Sequence, residues 1–329
     1  MSRITLAHGN GGRFMRELVR DVFARRFGGS VIDDAVGLPP ADGIVVVTAD
    51  GFIVDPLEFP GGDIGSLAVH GTVNDLAVSG AVPRWMTLSF IIEEGFKIDR
   101  LDRIAASIAR AAADCGVTIV AGDTKVVPNG QGGGLYIAAS GIGMRPVDVA
   151  LGMKAITVGD CLLVNGPVGD HGTAVLLARQ AFGLRGDLRS DSASVLPFAR
   201  AAVAIPGLRF MRDPTRGGIA TVANEISQET GFRVLLDERT LPIREPVRGI
   251  CDMLGYDPLY LACEGRVVAV VDPARAADLL VVWRGLPNGE GAAIIGRVEA
   301  GRPRVVLRTV LGGERLLDEL EDDPLPRIC

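Results

Sequence analysis

Cysteine is sparse in this 329-residue chain, and the five present (Cys115, Cys161, Cys251, Cys263 and Cys329) are odd in number, widely spaced and form no CxxC pair. That pattern argues against a disulfide framework or a zinc knuckle. No apolar run approaches the ~18 residues of a membrane span, and the start, Met1 to Thr5, lacks the apolar stretch of a secretory signal. The expected compartment is therefore the cytoplasm. No basic block stands out, and the formal net charge is −6 from 34 basic and 40 acidic residues, which disfavours a nucleic-acid binder. There is no G-X-Y period, no repeat of 20 to 50 residues and no GxxxxGK[ST] phosphate loop.

What the chain does have is glycine, 43 residues of it, and enough apolar material (48%) for a sizeable core. The glycines are expected to serve turns and close backbone approaches. Length alone suggests about two domains. Periodicity predicts a helix with Phe14, Leu18, Val22 and Phe23 on one face and a buried strand over 43–48. It then predicts a helix over 67–78, a strand over 85–92, an amphipathic helix over 101–112 and strands over 117–121 and 135–142. A second mixed series follows from Cys161 to Leu307, so the class is α+β or α/β. The expected division is 1–150, 151–311 and a tail, 312–329. Two prolines at alternate positions, Pro324 and Pro326, favour an extended, mobile end that can leave the body and return.

Carboxylates are the first chemical signal. Asp33, Asp34, Asp50, Asp75 and Asp123 each have small neighbours, as in Thr48-Ala-Asp-Gly51 and Gly122-Asp-Thr-Lys125, and read as acids at strand ends or loops. Short acids there can hold a hard cation and leave room for phosphate; they can equally cap helices and close turns. His8-Gly-Asn-Gly-Gly12 before a helix can form an anion site from freed backbone amides, or be a flexible loop. Asp213-Pro-Thr-Arg-Gly-Gly218 also reads as a helix opening, with Asp213 or Thr215 as cap. His171, in Gly169-Asp-His-Gly172, is read as structural. Glu264 in apolar company can act as a base with a raised pKa, or form a salt bridge to a nearby Arg.

Taken together, these strings and Gly71-Thr-Val-Asn-Asp-Leu-Ala77 resemble the aminoimidazole ribonucleotide synthetase (PurM-like) superfamily. Within it, the 55–65 segment and the ending Pro324-Leu-Pro-Arg-Ile-Cys329 resemble the HypE family of carbamoyl dehydratases, which make cyanide ligands for [NiFe] hydrogenase. The resemblance implies a two-domain ATP-binding fold, a homodimer paired through its N-terminal sheets, and ATP with Mg2+ as cofactors. It implies that Cys329 carries a carboxamide, that Glu264 is the base and that Lys125 holds phosphate or polarises the carbamoyl oxygen. It also implies metal ligation by Asp34, Asp50, Asp75 and Asp123, and nucleotide contacts from Gly9, Asn10, Gly11, Gly12, Asp50, Asn74, Asp75, Asp123 and Lys125. The implied partners are the carbamoyltransferase HypF as donor and a HypC–HypD complex as cyanide acceptor, with no nucleic acid and no membrane. Two alternatives stay open. One is a phosphotransferase of the same superfamily, thiamine-monophosphate kinase-like or selenophosphate synthetase-like. The other is a nucleotide-binding assembly scaffold without turnover.

Overall fold

The computed structural model describes residues 3–9, 13–27, 42–179, 187–320 and 328. The expected site residues Asn10, Gly11, Gly12, Asp34 and Cys329 lie outside them.

After a short 3-10 turn, Leu6–Gly9, the chain enters α1 (Arg13–Leu18), a π-helical segment (Val19–Ala24) and α2 (Arg25–Phe27). Leu18, Val22 and Phe23 bury as their spacing predicts, whereas Phe14 stays exposed. Strand β1 (Ile44–Phe52) is followed by a small hairpin of β2 (Glu58–Phe59) and β3 (Gly62–Asp63). Asp63 then opens helix α3 (Ile64–Val78). Its carboxylate accepts the Ser66 amide at 2.9 Å while the Ser66 hydroxyl accepts the Asp63 amide at 3.1 Å, a reciprocal cap. Strand β4 (Val82–Glu93), helix α4 (Ile98–Cys115), and strands β5 (Thr118–Val127) and β6 (Leu135–Arg145) complete the first half. Its sheet runs β1-β6-β4-β5, antiparallel except for the parallel β4–β5 pair.

Helix α3 lies on one face of this sheet, against β1 and β6, and α4 packs on α3. The apolar stripe Leu101, Ile104, Ala105, Ile108 and Ala112 of α4 is buried as expected. The opposite face of the sheet is open. Here the expected buried strand over 43–48 is corrected: Val45 is 61% and Val47 is 63% exposed. A run of β-branched residues makes a strand, but only alternate residues of β1 face α3; the others await a cover.

The second half is built on β7 (Cys161–Val164), α5 (Asp170–Ala178), α6 (Leu196–Val203), β8 (Leu208–Arg212), α7 (Gly218–Thr230) and β9 (Arg233–Asp237). It continues with α8 (Glu245–Leu254), β10 (Val268–Val271), α9 (Ala276–Arg284), β11 (Ala293–Glu299), β12 (Arg304–Arg308) and β13 (Glu314–Leu316). The sheet order is β13-β12-β9-β11-β7-β10-β8. Strand β13 pairs with β12 and Leu317 is buried, so the expected tail boundary at 312 precedes an edge strand.

The segment 187–195 bolts the halves together. The Ser190 amide donates to the Pro60 carbonyl of the first half at 2.8 Å, and the Glu264 amide of the second half donates to Asp191 at 3.1 Å. A Cβ at Gly265 would collide with the Asp191 carbonyl. The glycine therefore admits the protein's own loop rather than a ligand.

Candidate functional site

Sheet register sorts the expected residues into two groups. In β1, Val46, Thr48, Asp50 and Phe52 alternate toward α3. Asp50 pairs with Ala139 of β6, which pairs with Leu88 of β4, and that row lies over the core. Asp75 comes from α3, where the Thr48 hydroxyl donates to its carboxylate at 2.7 Å. Asp123 sits in the next row, opposite Ser89, Ala138 and Gly51, on the open face and at the far edge of the sheet. Lys125 is two residues on, so it shares that face, and its ammonium lies 3.0 Å from Asp123. The 3-10 turn that contains Gly9 packs against β5, at the same far edge.

None of the three described acids is the turn acid that its small neighbours implied. Asp50 and Asp123 lie within strands and Asp75 within a helix. Small flanking residues reflect crowding in the sheet and beneath the helix as much as turn chemistry.

Asp50 and Asp75 line a cleft of about 340 Å³ with Phe52, Gly71, Arg212, Asp213, Thr215, Arg216 and Glu264. A neighbouring cavity of about 450 Å³ shares Asp75, Arg212, Asp213 and Thr215, and is otherwise bounded by Val46, Leu76, Arg145 and Phe210 among others. The two form a trough between the halves, polar at the acids and mixed beyond, where Val46, Leu76 and Phe210 alternate with Thr48, Ser79 and Arg145.

Asp213 corrects a second expectation. Helix α7 starts at Gly218 with the left-handed Gly217 as its N-cap and no side-chain cap, so neither Asp213 nor Thr215 caps it. Instead β8, a strand the periodicity missed, ends at Arg212 and delivers Asp213 into the trough. Leu208 and Phe210 between Gly207 and Pro214 were the available signal.

The acids here are electrostatically strained. Burial first, then the charge of Asp75, raises the Asp50 pKa; burial also raises that of Asp75 against the pull of Thr48 and Arg212. Burial, with Asp75 and Asp50 behind it, pushes Asp213 up to about 7. Arg212 and Arg216 at the rim offset part of that negative charge. Among the described residues no group of three or more His, Cys, Asp or Glu side chains is placed so that it could hold a metal ion by itself.

Asn74 is nearly fully buried and its amide is committed to protein: it donates to the carbonyls of Ala193 (3.0 Å) and Glu264 (3.2 Å) and accepts the Val195 amide (2.8 Å). One helical turn earlier, His70 meets the Ser192 hydroxyl at 3.1 Å, and burial pushes its pKa down to about 4. Glu264 is held by these backbone bonds with its side chain at the trough, 2% exposed.

The end of the chain enters the same region. Ile328 is buried in the main core cluster and its carbonyl meets His171 Nε2 at 2.8 Å. His171 was expected to be structural; its contact with the last described residue was invisible in sequence, since 157 positions separate the two.

A mixed two-half α/β protein with acids at the seam defines a class, and family models name it. Residues 32–145 match the N-terminal domain of AIR synthase related proteins and residues 157–308 the C-terminal domain. The chain is 44% identical to the carbamoyl dehydratase HypE of Azotobacter vinelandii, over 99% of this chain and 97% of that protein. A crystal structure of HypE in complex with ATP superposes with a TM-score of 0.94 at 43% identity, covering 99% of each chain. HypE in a HypE–HypF complex superposes at 0.82 with 39% identity, covering 94% of this chain and 100% of that one. The chain belongs to the HypE carbamoyl dehydratase family. No described helix is long and apolar enough to cross a membrane.

Proposed function

We propose that the protein dehydrates a carboxamide carried on Cys329 to a thiocyanate, in an ATP-dependent reaction that supplies cyanide for the iron of [NiFe] hydrogenase. The observation that carries this reading is the burial of Ile328, the residue bonded to Cys329, against His171. Ser190 bonds His171, its neighbour Asp191 bonds the Glu264 amide, and Glu264 lines the acid trough. A carrier residue needs its chain end brought to the reaction site; a small-molecule kinase or a passive scaffold does not.

The chemistry follows from the group to be removed. In S–C(=O)–NH2 the oxygen is a poor leaving group. Transfer of the γ-phosphoryl group to that oxygen makes phosphate the leaving group. Loss of the two nitrogen protons and of phosphate leaves S–C≡N. Glu264 takes a nitrogen proton, held at the trough by a backbone that Asn74 and Asp191 lock in place. Arg212 and Arg216 face phosphate charge.

In donor chemistry Asp50, Asp75 and Asp213 suit Mg2+, as hard carboxylate oxygens whose pKa values are each raised by burial and two also by a neighbouring acid, although the described side chains alone form no group of three that could hold the ion. Magnesium would supply charge neutralisation for the phosphates, with phosphate and water completing its shell. Asp34 belongs with this set as an expected ligand, and Gly9, Asn10, Gly11 and Gly12 as expected phosphate contacts.

Asp123 and Lys125 need a second copy. They lie on the open face with the exposed Val45 and Val47, away from the trough of their own chain. Pairing that face with another copy covers the valines and offers Lys125 to the neighbouring trough, which supports a homodimer with shared sites. A HypF-type transferase is the expected carbamoyl donor, as the HypE–HypF structure supports, and a HypC–HypD complex the acceptor, in the cytoplasm. The test is mass spectrometry of the C-terminal peptide after incubation with ATP and a carbamoyl donor. A cyano adduct on Cys329 is expected. Its absence in the parent, or an adduct on Cys115 or Cys263 instead, would overturn the reading.

A further inference from the structure

His171 is fully buried, and both of its ring nitrogens are used. Burial lowers its pKa, so the ring is neutral near pH 7 and carries one proton. A carbonyl can only accept, so the 2.8 Å contact to the Ile328 oxygen places that proton on Nε2. Nδ1 is then a lone pair, and the Ser190 hydroxyl donates to it at 2.8 Å. The Ser190 oxygen in turn accepts the Ser192 amide at 3.0 Å. Phe59 of the β2–β3 hairpin packs edge-on to the ring at 5.4 Å and an interplanar angle of 88°. The ring thus has a fixed tautomer and a fixed plane, set by the segment that bolts the two halves.

We propose that His171, oriented by Ser190, is a positioning residue that fixes where the carrier end of the chain stops, an inference that rests on the carrier reading above. Among the described residues the donor it presents has one acceptor, the carbonyl of the residue bonded to Cys329. If the end of the chain leaves, a buried N–H loses that acceptor and Ile328 loses its apolar seat. Both effects favour return. The relay therefore sets the balance between a docked end that can react and a released end that can meet another protein.

Three readouts test this on the full-length chain. The first is trypsin release of the Ile328–Cys329 dipeptide, followed by mass, which needs neither ATP nor carbamoyl donor. Cleavage of the Arg327–Ile328 bond requires Ile328 to leave its seat. His171→Phe keeps a ring and deletes the donor, and should speed release about 10- to 100-fold. His171→Gln restores an N–H donor and should return release to within a few-fold of the parent. Ser190→Ala frees the tautomer and should fall between. The second readout is turnover: His171→Phe should lower kcat for thiocyanate formation with KM for ATP unchanged, and His171→Gln should recover it. Nitrogen-15 shifts of the ring should report the Nε2–H tautomer.

Parent-like release in His171→Phe, a Gln variant no better than Phe, or an Nδ1–H tautomer would each overturn the proposal. If His171→Phe does not fold, Ser190→Ala and His171→Gln decide it, with a parent-like Ser190→Ala overturning it. A parent that never forms a cyano adduct sinks the carrier reading alone, because the release experiment stands without it.

Discussion

The two edges of the N-terminal sheet carry similar sequence strings in opposite surroundings. At the β1 edge, Asp50 faces α3, shares a trough with Asp75 and Asp213, and resists ionisation. At the β5 edge, Asp123 is about half exposed on the open face and holds Lys125 at 3.0 Å. An acid between small residues is thus a statement about crowding, and the strand register decides what the acid meets. Within one chain only the β1 edge belongs to the trough. The β5 edge joins the chemistry only if another copy brings it there.

The largest effect should come from Glu264, on the trough side of that comparison. Glu264→Gln should still bind ATP and accept the carbamoyl group on Cys329, yet slow dehydration by about 10²–10⁴-fold. The C-terminal peptide should then stay at the carbamoyl mass. Conversion at the parent rate would make Glu264 a structural residue.

Next come the acids. Asp75→Asn and Asp213→Asn should each weaken Mg-ATP about 10- to 100-fold by calorimetry, because hard-cation ligands lose their charge. Lys125→Ala should be defective by itself. Mixed with Asp75→Asn it should recover about a quarter of parental activity through hybrid dimers with one intact trough. No recovery would place Lys125 in its own chain's chemistry or outside it, and would break the two-edge account.

A pH comparison separates the edges without any ligand. Asp213 rises from 3.8 to about 7 on folding, so the folded state holds its proton where the unfolded state has lost it. This acid's contribution to stability is therefore fully present below pH 3.8 and is lost as pH rises toward 7. Asp213→Asn should raise the melting temperature at pH 8 more than at pH 4. An equal gain at both would mean that Asp213 ionises freely in the folded chain. Asp123→Asn should be the smallest change, within about 1 kcal/mol of the parent at any pH when the chain is dilute enough to be unpaired, because in a single copy its ion pair is solvent-exposed. A larger loss would show that the open face is sensitive to that pair.

Most of this fold was legible locally. The α4 stripe needs only neighbours within a turn and is buried as its spacing implies; the helix expected over 67–78 is present too, and begins one turn earlier, behind the Asp63 cap. The glycine-rich strings, taken together, identified the superfamily. What was not legible depends on distant partners. Asp213 read as a cap because Asp-Pro-Thr before a helix usually is one; the extra left-handed turn at Gly217 moves the helix start beyond it. A glycine signals a close approach without naming the neighbour; the one that Gly265 admits is Asp191, 74 positions earlier. Asn74 read as a nucleotide contact from its motif, while its amide bonds go to Ala193, Val195 and Glu264. Local strings state which residues need room; only topology states for whom.

The central claim is that the chain carries its own substrate to the acid trough, and the mass of the C-terminal peptide tests it most directly. The parent chain, given a carbamoyl donor without ATP, should hold Cys329 at the carbamoyl mass. On addition of Mg-ATP that peptide should lose the mass of one water, with one ATP consumed for each thiocyanate formed. A carbamoyl mass that persists with Mg-ATP, or a water loss that needs no ATP, would contradict the account.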